Sequence, residues 1–251
     1  MMAALLEAED LRKNFGHLAA VAGVSLGLAR GTITAIIGPN GAGKTTLINL
    51  LTGLLLPEAG SIRFKGRDIT GMPPYRRVRL GLSRSFQIMT IFANLTVHQN
   101  LLLPTLSRHG MNARILARLG GVNQPTDEAD EFLGEIGLSE QRDVKAGVLS
   151  HGDQRLLEMG IAVATHPELC FLDEPCAGMN PVERQAVLGL MRRLASQQRT
   201  TFVVVEHDMD VVFALAQRIV VMNHGEILAD GTPAEIRENR EVREIYLGTE
   251  V

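Results

Sequence analysis

One eight-residue segment constrains this chain more than any other feature of its sequence. Residues 38–45 read Gly-Pro-Asn-Gly-Ala-Gly-Lys-Thr and match the pattern G-x-x-x-x-G-K-[ST] at every fixed position. An apolar, β-branched run over residues 32–37 precedes the segment, and apolar residues at helical spacing follow it over residues 45–55. The sequence therefore predicts a strand, a phosphate loop and a helix, in which the glycines let consecutive backbone N–H groups converge on phosphate oxygens.

Two side chains of this loop carry chemistry of their own. The Lys44 ammonium can neutralise the charge of β- and γ-phosphates, and the Thr45 hydroxyl can ligate Mg²⁺. The alternative is a glycine-rich turn with an exposed lysine, which the flanking strand and helix disfavour. The residues assigned to nucleotide binding in this region are Gly38, Pro39, Asn40, Gly41, Ala42, Gly43, Lys44, Thr45 and Thr46.

Two adjacent acids end a second apolar run. Residues 169–172 read Leu-Cys-Phe-Leu, and Asp173 and Glu174 follow directly. In a chain with a phosphate loop, this arrangement indicates a Mg²⁺ site, so we expect Asp173 to hold the metal. We expect Glu174 to polarise the attacking water as general base. The alternative is that Asp173 and Glu174 form a solvated turn. The presence of a phosphate loop argues against this alternative, because phosphoryl transfer needs an acidic side chain that binds the metal ion.

Length and charge limit the class of protein. The chain has 251 residues, within the range of one α/β domain, and its 25 basic and 28 acidic side chains give a formal net charge of −3. That balance excludes a generally basic nucleic-acid binder, so no nucleic-acid partner is expected. No apolar run approaches the roughly 18 residues that cross a bilayer. The acidic N-terminus is unlike a signal peptide, and two cysteines fit a reducing cytosol. We expect a soluble cytosolic protein whose membrane role comes through a partner.

Strand-like and helical runs alternate along most of the chain. The first 65 residues contain short β segments, apolar runs return at residues 169–172, 201–205 and 219–222, and helical patterns lie between them. This alternation predicts an α/β fold with a largely parallel sheet. Residues 88–164 are mainly helical in pattern, with predicted helices over residues 97–103, 111–119, 127–136 and 152–164 separated by Pro, Gly and Asn. This pattern predicts a helical subdomain inserted into that sheet.

Further motifs follow in order along the chain, and together they carry a family resemblance. Gln87 follows Ser-Phe, residues 149–154 read Leu-Ser-His-Gly-Asp-Gln, residues 177–180 read Ala-Gly-Met-Asn, and His207 stands in Val-Glu-His-Asp. With the phosphate loop and the two acids, these motifs resemble the Q-loop, signature, D-loop and switch histidine of the ATP-binding subunits of ABC transporters. The resemblance covers nearly the whole chain, and it implies an ATPase that uses ATP and Mg²⁺.

The resemblance also implies an architecture. It predicts a P-loop NTPase core with a mixed, largely parallel sheet, an N-terminal antiparallel β segment and an inserted helical subdomain. Residues 1–251 would form one ATPase domain. Its catalytic core would comprise residues 1–87 and 165–251, and its helical subdomain, which carries the signature, residues 88–164.

Several site residues are assigned only through the resemblance. Phe15 stands where the family stacks an aromatic ring on adenine, and its alternative is ordinary strand packing. Gln87 would be a catalytic and metal-binding residue that senses Mg²⁺ and the attacking water. His207 would contact the γ-phosphate as a catalytic residue, and its alternative is to cap the helix predicted at residues 208–216.

Family members work as head-to-tail dimers with two ATP molecules in the interface. Ser150 and Gly152 would lie at the start of a helix and offer a hydroxyl, backbone N–H groups and a helix dipole to the γ-phosphate held by the other chain. Asn180 would link the two sites across the interface. Asp153 departs from the family, which usually has Gln there. A carboxylate near a triphosphate is unfavourable, so either Asp153 points away or the closed dimer is weakened.

Four segments resemble those of importers of branched-chain amino acids, urea or short-chain amides. They are Leu-Ser-His-Gly at residues 149–152, Ala-Gly-Met-Asn-Pro at 177–181, Val-Glu-His-Asp-Met at 205–209 and Val-Arg-Glu-Ile-Tyr-Leu-Gly at 242–248. The partners implied are a second ATPase subunit, identical or different, and transmembrane permease subunits that dock on the Gln87 region and the helical subdomain. An extracytoplasmic solute-binding protein would act indirectly, and the chain would lie peripherally on the cytoplasmic face of the membrane. Four arginines near the docking region could contribute to it or form a solvated face. They are Arg76, Arg77, Arg79 and Arg84.

Two other functional classes are alternatives to an importer ATPase. Soluble ABC-type ATPases of DNA repair or translation usually carry long coiled-coil insertions or two ATPase copies, whereas this chain has one phosphate loop and no sustained heptads. A regulatory nucleotide-binding module with weak turnover is suggested by Asp153. The intact Lys44, Asp173, Glu174 and His207 argue against it.

Overall fold

Two β-sheets and a set of flanking helices make up the fold of this computed structural model, which describes residues 4–84, 91–110 and 123–247. One sheet has four antiparallel strands, and the other has six strands. The six-stranded sheet is parallel except for one antiparallel pair at its edge. The α/β class with a mixed, largely parallel sheet and an N-terminal antiparallel segment is therefore confirmed.

The strands and helices have the following bounds. The strands are β1 (Leu6–Phe15), β2 (Leu18–Leu28), β3 (Ile33–Ile37), β4 (Ala59–Phe64), β5 (Arg67–Asp68), β6 (Leu82–Arg84), β7 (Leu169–Asp173), β8 (Thr201–Val205), β9 (Arg218–Asn223) and β10 (Glu226–Gly231). The order in the four-stranded sheet is β2-β1-β4-β5, and the order in the six-stranded sheet is β10-β9-β3-β8-β7-β6, with β9–β10 as the antiparallel pair. The helices are α1 (Lys44–Thr52), α2 (Pro74–Arg79), α3 (Val97–Arg108), α4 (Asn123–Glu135), α5 (His151–Ala164), α6 (Pro181–Ser196), α7 (Met209–Leu215), α8 (Pro233–Glu238) and α9 (Arg240–Val242).

The central strands are apolar throughout because both faces of the six-stranded sheet are covered. In β7, Leu169 and Phe171 pack into the core that also contains α1 and the four-stranded sheet. Cys170 and Leu172 alternate with them and pack into a second core, which contains α3, α4, α5 and α6. Helices α3, α4 and α5 lie between β6 and β7 in the chain and contact one another, at the position predicted for the helical subdomain. The limits of that subdomain at residues 88 and 164 stay a prediction.

A buried arginine anchors the far end of the phosphate-loop helix. The Arg77 side chain is fully buried and donates from Nη1 to the carbonyl oxygens of Leu50 and Leu51, at 3.1 and 2.7 Å, where α1 ends. Its Nε donates to the carbonyl of Met72 at 2.8 Å. Burial lowers the pKa of Arg77 to about 10. The expectation that Arg77 belongs to a solvated or docking face is therefore wrong, because it satisfies carbonyls at a helix C-terminus.

Several element predictions were incomplete. The apolar pattern predicted the end of the first subdomain helix at residue 103, but α3 continues through Pro104 to Arg108, because Thr105 and Leu106 are buried in the same core. The short elements β5, α2, β6 and β10 were not predicted. The helix predicted over residues 111–119 lies outside the described residues.

Candidate functional site

Three parallel strands bring the predicted residues to one edge of the sheet. In the ladder, Ile36 of β3 and Asp173 of β7 both pair with Val205 of β8, so the carboxyl ends of these strands meet. Beyond them lies a cavity of about 420 Å³. Its lining includes Leu18, Ala20 and Val205 together with most of the predicted phosphate loop, the predicted metal ligand Asp173 and two of the three predicted catalytic side chains. The predicted site residues in the lining are Phe15, Asn40, Gly41, Ala42, Gly43, Lys44, Thr45, Thr46, Asp173, Glu174 and His207.

Glycines are required at two positions of the phosphate loop by close backbone contacts. A Cβ at Gly38 would lie 2.2 Å from the carbonyl oxygen of Met222, and a Cβ at Gly43 would lie 2.2 Å from that of Ala20. Gly43 also has a φ of 98°, which L residues rarely adopt. The loop therefore fits closely between β2 and β9, and it leads into the first turn of α1, where helical N–H groups have no intrahelical partner.

The Lys44 side chain lies folded over this loop. Its ammonium donates to the carbonyl oxygens of Gly38 and Pro39, at 2.6 and 2.9 Å. Burial lowers the pKa of Lys44, while the carboxylates of Asp173 and Glu174 raise it. A partly desolvated ammonium beside the helix N-terminus makes the cavity attractive to phosphate.

Asp173 is a buried carboxylate with a basic neighbour. It is 8% exposed, and its Oδ2 lies 3.7 Å from Nη2 of Arg84. Burial raises the pKa of Asp173, and the positive charge of Arg84 acts in the opposite direction. Arg84 also donates to the side chain of Asn49 in α1, so its guanidinium spans β6, β7 and α1. The expectation of a solvated or docking face is wrong for Arg84 as well.

Glu174 follows Asp173 in an unusual backbone conformation. Its φ is 48°, and its N–H donates to the carbonyl of Val205 at 2.9 Å. Its Oε1 lies 3.3 Å from Nε2 of His207. The structure thus brings the predicted base and the predicted switch histidine into contact at the cavity. The alternative role of His207 as a helix cap is wrong, because Asp208 accepts from the N–H groups of Asp210 and Val211 and so caps α7.

Another buried carboxylate lies behind this pair. Glu206 is 4% exposed, its Oε1 accepts from the N–H of Cys176 at 3.2 Å, and its Oε2 accepts from the N–H of His207 at 3.1 Å. Sequence reasoning gave Glu206 no role, although it directly follows the buried strand β8 as Asp173 ends β7. That position was the signal that could have identified it. Arg84 was noticed only as part of a basic cluster, since its contact with Asp173 depends on the β6–β7 pairing.

Phe15 lies at the other side of the cavity. It ends β1, pairs with Leu18 of β2, and is half exposed, so it is not a core residue. Leu18 is 66% exposed and lines the same cavity, although sequence reasoning did not single it out. The β1–β2 hairpin therefore presents two apolar side chains beside the phosphate loop, as a surface on which a flat apolar group can pack.

The signature segment, residues 149–154, lies on a different part of the surface. Ser150 is exposed and caps α5, with its Oγ accepting from the N–H of Asp153 at 3.1 Å. A Cβ at Gly152 would lie 1.9 Å from the side chain of Glu183, and a Cβ at Gly178 would lie 3.4 Å from His151. Among the described residues, the lining of the cavity includes no member of the signature segment. Ser150 and Gly152 are thus not brought together with the phosphate loop within one chain.

Asn180 lies next to the signature segment rather than in the cavity. Its Oδ1 accepts from the N–H groups of Val182 and Glu183, and the Glu183 side chain accepts from the N–H of Asn180, so that the two residues cap α6 reciprocally. Asn180 is exposed. Gln87 lies outside the described residues.

Comparison with known proteins identifies the family. The ABC transporter family matches residues 21–177, which span the phosphate loop, the signature segment and both acids. This chain is an ABC transporter ATP-binding subunit. A second family, described as branched-chain amino acid ATP-binding cassette transporter, matches residues 226–251 of this ABC subunit. The ABC subunit accordingly binds ATP, and it hydrolyses ATP to energise transport.

Curated relatives and solved structures agree with this assignment. A high-affinity branched-chain amino acid transport ATP-binding protein of Pseudomonas aeruginosa is 40% identical and covers 97% of this chain and 98% of its own. The corresponding protein of Escherichia coli is 39% identical, with the same coverage. A crystal structure of the ADP conformation of an ABC transporter ATP-binding cassette is 33% identical, has a TM-score of 0.85, and covers 98% of this chain and 99% of that one.

Across residues 4–84, 91–110 and 123–247, none of the helices combines the length and the apolar character needed to cross a bilayer.

Proposed function

We propose that two ATPase subunits, either two copies of this chain or this chain and a different subunit, bind two ATP molecules head to tail between them. The observation that supports this is the separation of two phosphate-binding elements within one chain. The cavity contains Lys44, Asp173, Glu174 and His207, whereas Ser150 and Gly152 lie at the N-terminus of α5, outside its lining. Both elements suit phosphate, and a second chain can bring them together.

Each cavity residue has a role that follows from its position. The backbone N–H groups of the loop residues that line the cavity, 40–46, and the Lys44 ammonium bind the phosphates, and Phe15 stacks on adenine. Glu174 accepts a proton from the attacking water. His207, which lies in contact with Glu174, contacts the γ-phosphate. We also propose that Gln87 contributes to the metal and water site.

The donor set fits Mg²⁺. The Thr45 hydroxyl and the Asp173 carboxylate are hard oxygen ligands in one cavity. Among the described residues there is no group of three or more His, Cys, Asp or Glu side chains that could hold a metal by themselves. Mg²⁺ commonly takes one or two protein oxygens and completes its shell with phosphate and water. When bound, it neutralises phosphate charge.

We propose that the transported solute is a branched-chain amino acid, or a related small solute such as urea or a short amide. The match over residues 226–251 and the names of the relatives support this. The permease subunits would dock on the Gln87 region and the helical subdomain. Arg76 and Arg79 of α2 are exposed and would contribute to this docking. The solute-binding protein would act through the permease. The subunit would therefore lie peripherally on the cytoplasmic face of the membrane.

The test is steady-state ATP hydrolysis by the wild-type chain and by Glu174→Gln, together with sedimentation of Glu174→Gln with and without Mg-ATP. We expect Glu174→Gln to lose turnover and to form an ATP-dependent dimer. Wild-type turnover by this variant would exclude Glu174 as the base. The solute is tested in vesicles carrying the permease and the solute-binding protein, where leucine should stimulate ATP hydrolysis more than urea does.

A further inference from the structure

The turn that follows β7 holds the proposed base in a strained position. Glu174 has a φ of 48°, a left-handed conformation that costs energy for a residue with a side chain. Its carbonyl accepts from the N–H of Ala177 at 3.1 Å, which closes the turn. A strained conformation persists only where surrounding contacts fix it, so the contacts of this turn determine where the carboxylate of Glu174 points.

The carboxylate of Glu206 makes one of those contacts and at the same time contacts the loop after β8. One oxygen accepts from the N–H of Cys176, inside the turn, and the other accepts from the N–H of His207. Burial raises the pKa of Glu206, and the backbone N–H groups of Cys176, His207 and Asp208 act in the opposite direction. Among the described residues Glu206 is in no ion pair, and its carboxylate is held by these backbone N–H groups. A buried carboxylate is stabilised in this way only if every donor stays in place.

Two further contacts hold the residues around Glu206. The N–H of Glu174 donates to the carbonyl of Val205, and Arg184 of α6 donates to Asp208 at 2.8 Å. Glu206 itself does not line the cavity in the described part of the chain. It can therefore act on the reaction only through the residues that it holds.

We propose that Glu206 is a positioning residue for ATP hydrolysis, which fixes Glu174 and His207 relative to each other by bridging the loops that carry them. This inference rests on the proposed roles of those two residues. The two carboxylate oxygens accept hydrogen bonds from two different loops, one from the N–H of Cys176 and one from the N–H of His207. The isosteric amide of glutamine could accept only one of these hydrogen bonds, because its NH₂ group would face the other N–H donor.

The experiment measures kcat, the KM for ATP and equilibrium ATP binding in Glu206→Gln. The matched control is Glu135→Gln, which removes a largely buried carboxylate that pairs with Arg199 at 2.7 Å, outside the lining of the cavity. We expect kcat to fall about 10-fold or more in Glu206→Gln, with ATP affinity unchanged within about two-fold, since misplacing reacting groups slows the chemical step. The control should lose stability but keep its kcat.

A double-mutant cycle separates positioning from general destabilisation. If Glu206 acts through the Glu174–His207 pair, adding Glu206→Gln to His207→Ala should cause little further loss of kcat. The proposal would be overturned if the losses of kcat in the two single variants multiply in the double variant. It would also be overturned if kcat in Glu206→Gln falls no further than in Glu135→Gln. If Glu206→Gln does not fold, Glu206→Asp serves the same test, because the shorter side chain cannot reach both loops. Wild-type kcat in His207→Ala would instead refute the proposed function of His207.

Discussion

The phosphate loop and the signature segment differ in how complete each is within one chain. The loop is enclosed by its own chain: backbone carbonyls of Met222 and Ala20 lie against Gly38 and Gly43, and the cavity already contains two acids and a histidine. The signature segment is a helix N-terminus at which Ser150 and His151 are exposed, and the serine caps its own helix. The difference fits the proposal that one chain binds nucleotide by itself, whereas hydrolysis needs what a second chain adds.

The largest effect should come from a substitution in the phosphate loop, the region that is complete within one chain. Lys44→Ala removes the ammonium that lies over the phosphate loop, so ATP affinity should fall about 100-fold or more. Equilibrium binding of a fluorescent ATP analogue measures this. Lys65→Ala, which removes a surface ammonium that pairs with Glu168, is the control and should bind normally. Near-normal binding by Lys44→Ala would show that the loop does not hold the phosphates as described.

Two glycine substitutions compare the rigidity of the two regions. In Gly38→Ala the new methyl meets a backbone carbonyl at 2.2 Å, so the free energy of unfolding should fall by about 3 kcal/mol or more. In Gly152→Ala the new methyl meets the end of the flexible Glu183 side chain, whose movement costs the cap bond to Asn180, about 1 kcal/mol. Urea denaturation measures both. Equal losses would mean that the loop is no more tightly enclosed than the signature segment.

Ser150→Ala tests what the signature segment adds. ATP binding by the separate chain should stay as in the wild type, while turnover should fall about 10-fold, because the hydroxyl is offered to a nucleotide held by another chain. The substitution also removes a helix cap. Thr232→Ala is therefore the control, since it removes the cap of α8 and should leave turnover unchanged. A matching loss in that control would attribute the effect of Ser150→Ala to the cap alone.

The smallest effect should come from Asp153. In the Glu174→Gln background, Asp153→Gln removes one negative charge near the proposed interface, and screening leaves about a three-fold tightening of the ATP-dependent dimer. Sedimentation at several protein concentrations measures it. Asp143→Asn, at a highly exposed carboxylate, should change nothing. If Asp153→Gln dimerises no more tightly than Asp143→Asn in the same background, Asp153 does not weaken the interface.

The sequence predicted the phosphate loop and the two acids because their chemistry depends on local order: a strand, a fixed spacing and a helix. It also predicted the alternating layers, because residues such as Leu172 and Val204 lie in strands buried on both faces. The roles of Arg77, Arg84 and Glu206 were missed. Each depends on a contact between segments far apart in the chain, such as the guanidinium of Arg77 on the carbonyls that end α1, and no local pattern encodes such contacts.

Amide hydrogen exchange in Glu174→Gln with Mg-ATP tests the central claim most directly, because it follows both regions in one sample. Residues 38–46 should be protected at every protein concentration, since one chain binds the nucleotide there. Residues 149–154 should be protected only at concentrations where the dimer forms, since a second chain's nucleotide covers them. Protection of residues 38–46 alone, at concentrations where the protein is dimeric, would contradict the head-to-tail arrangement.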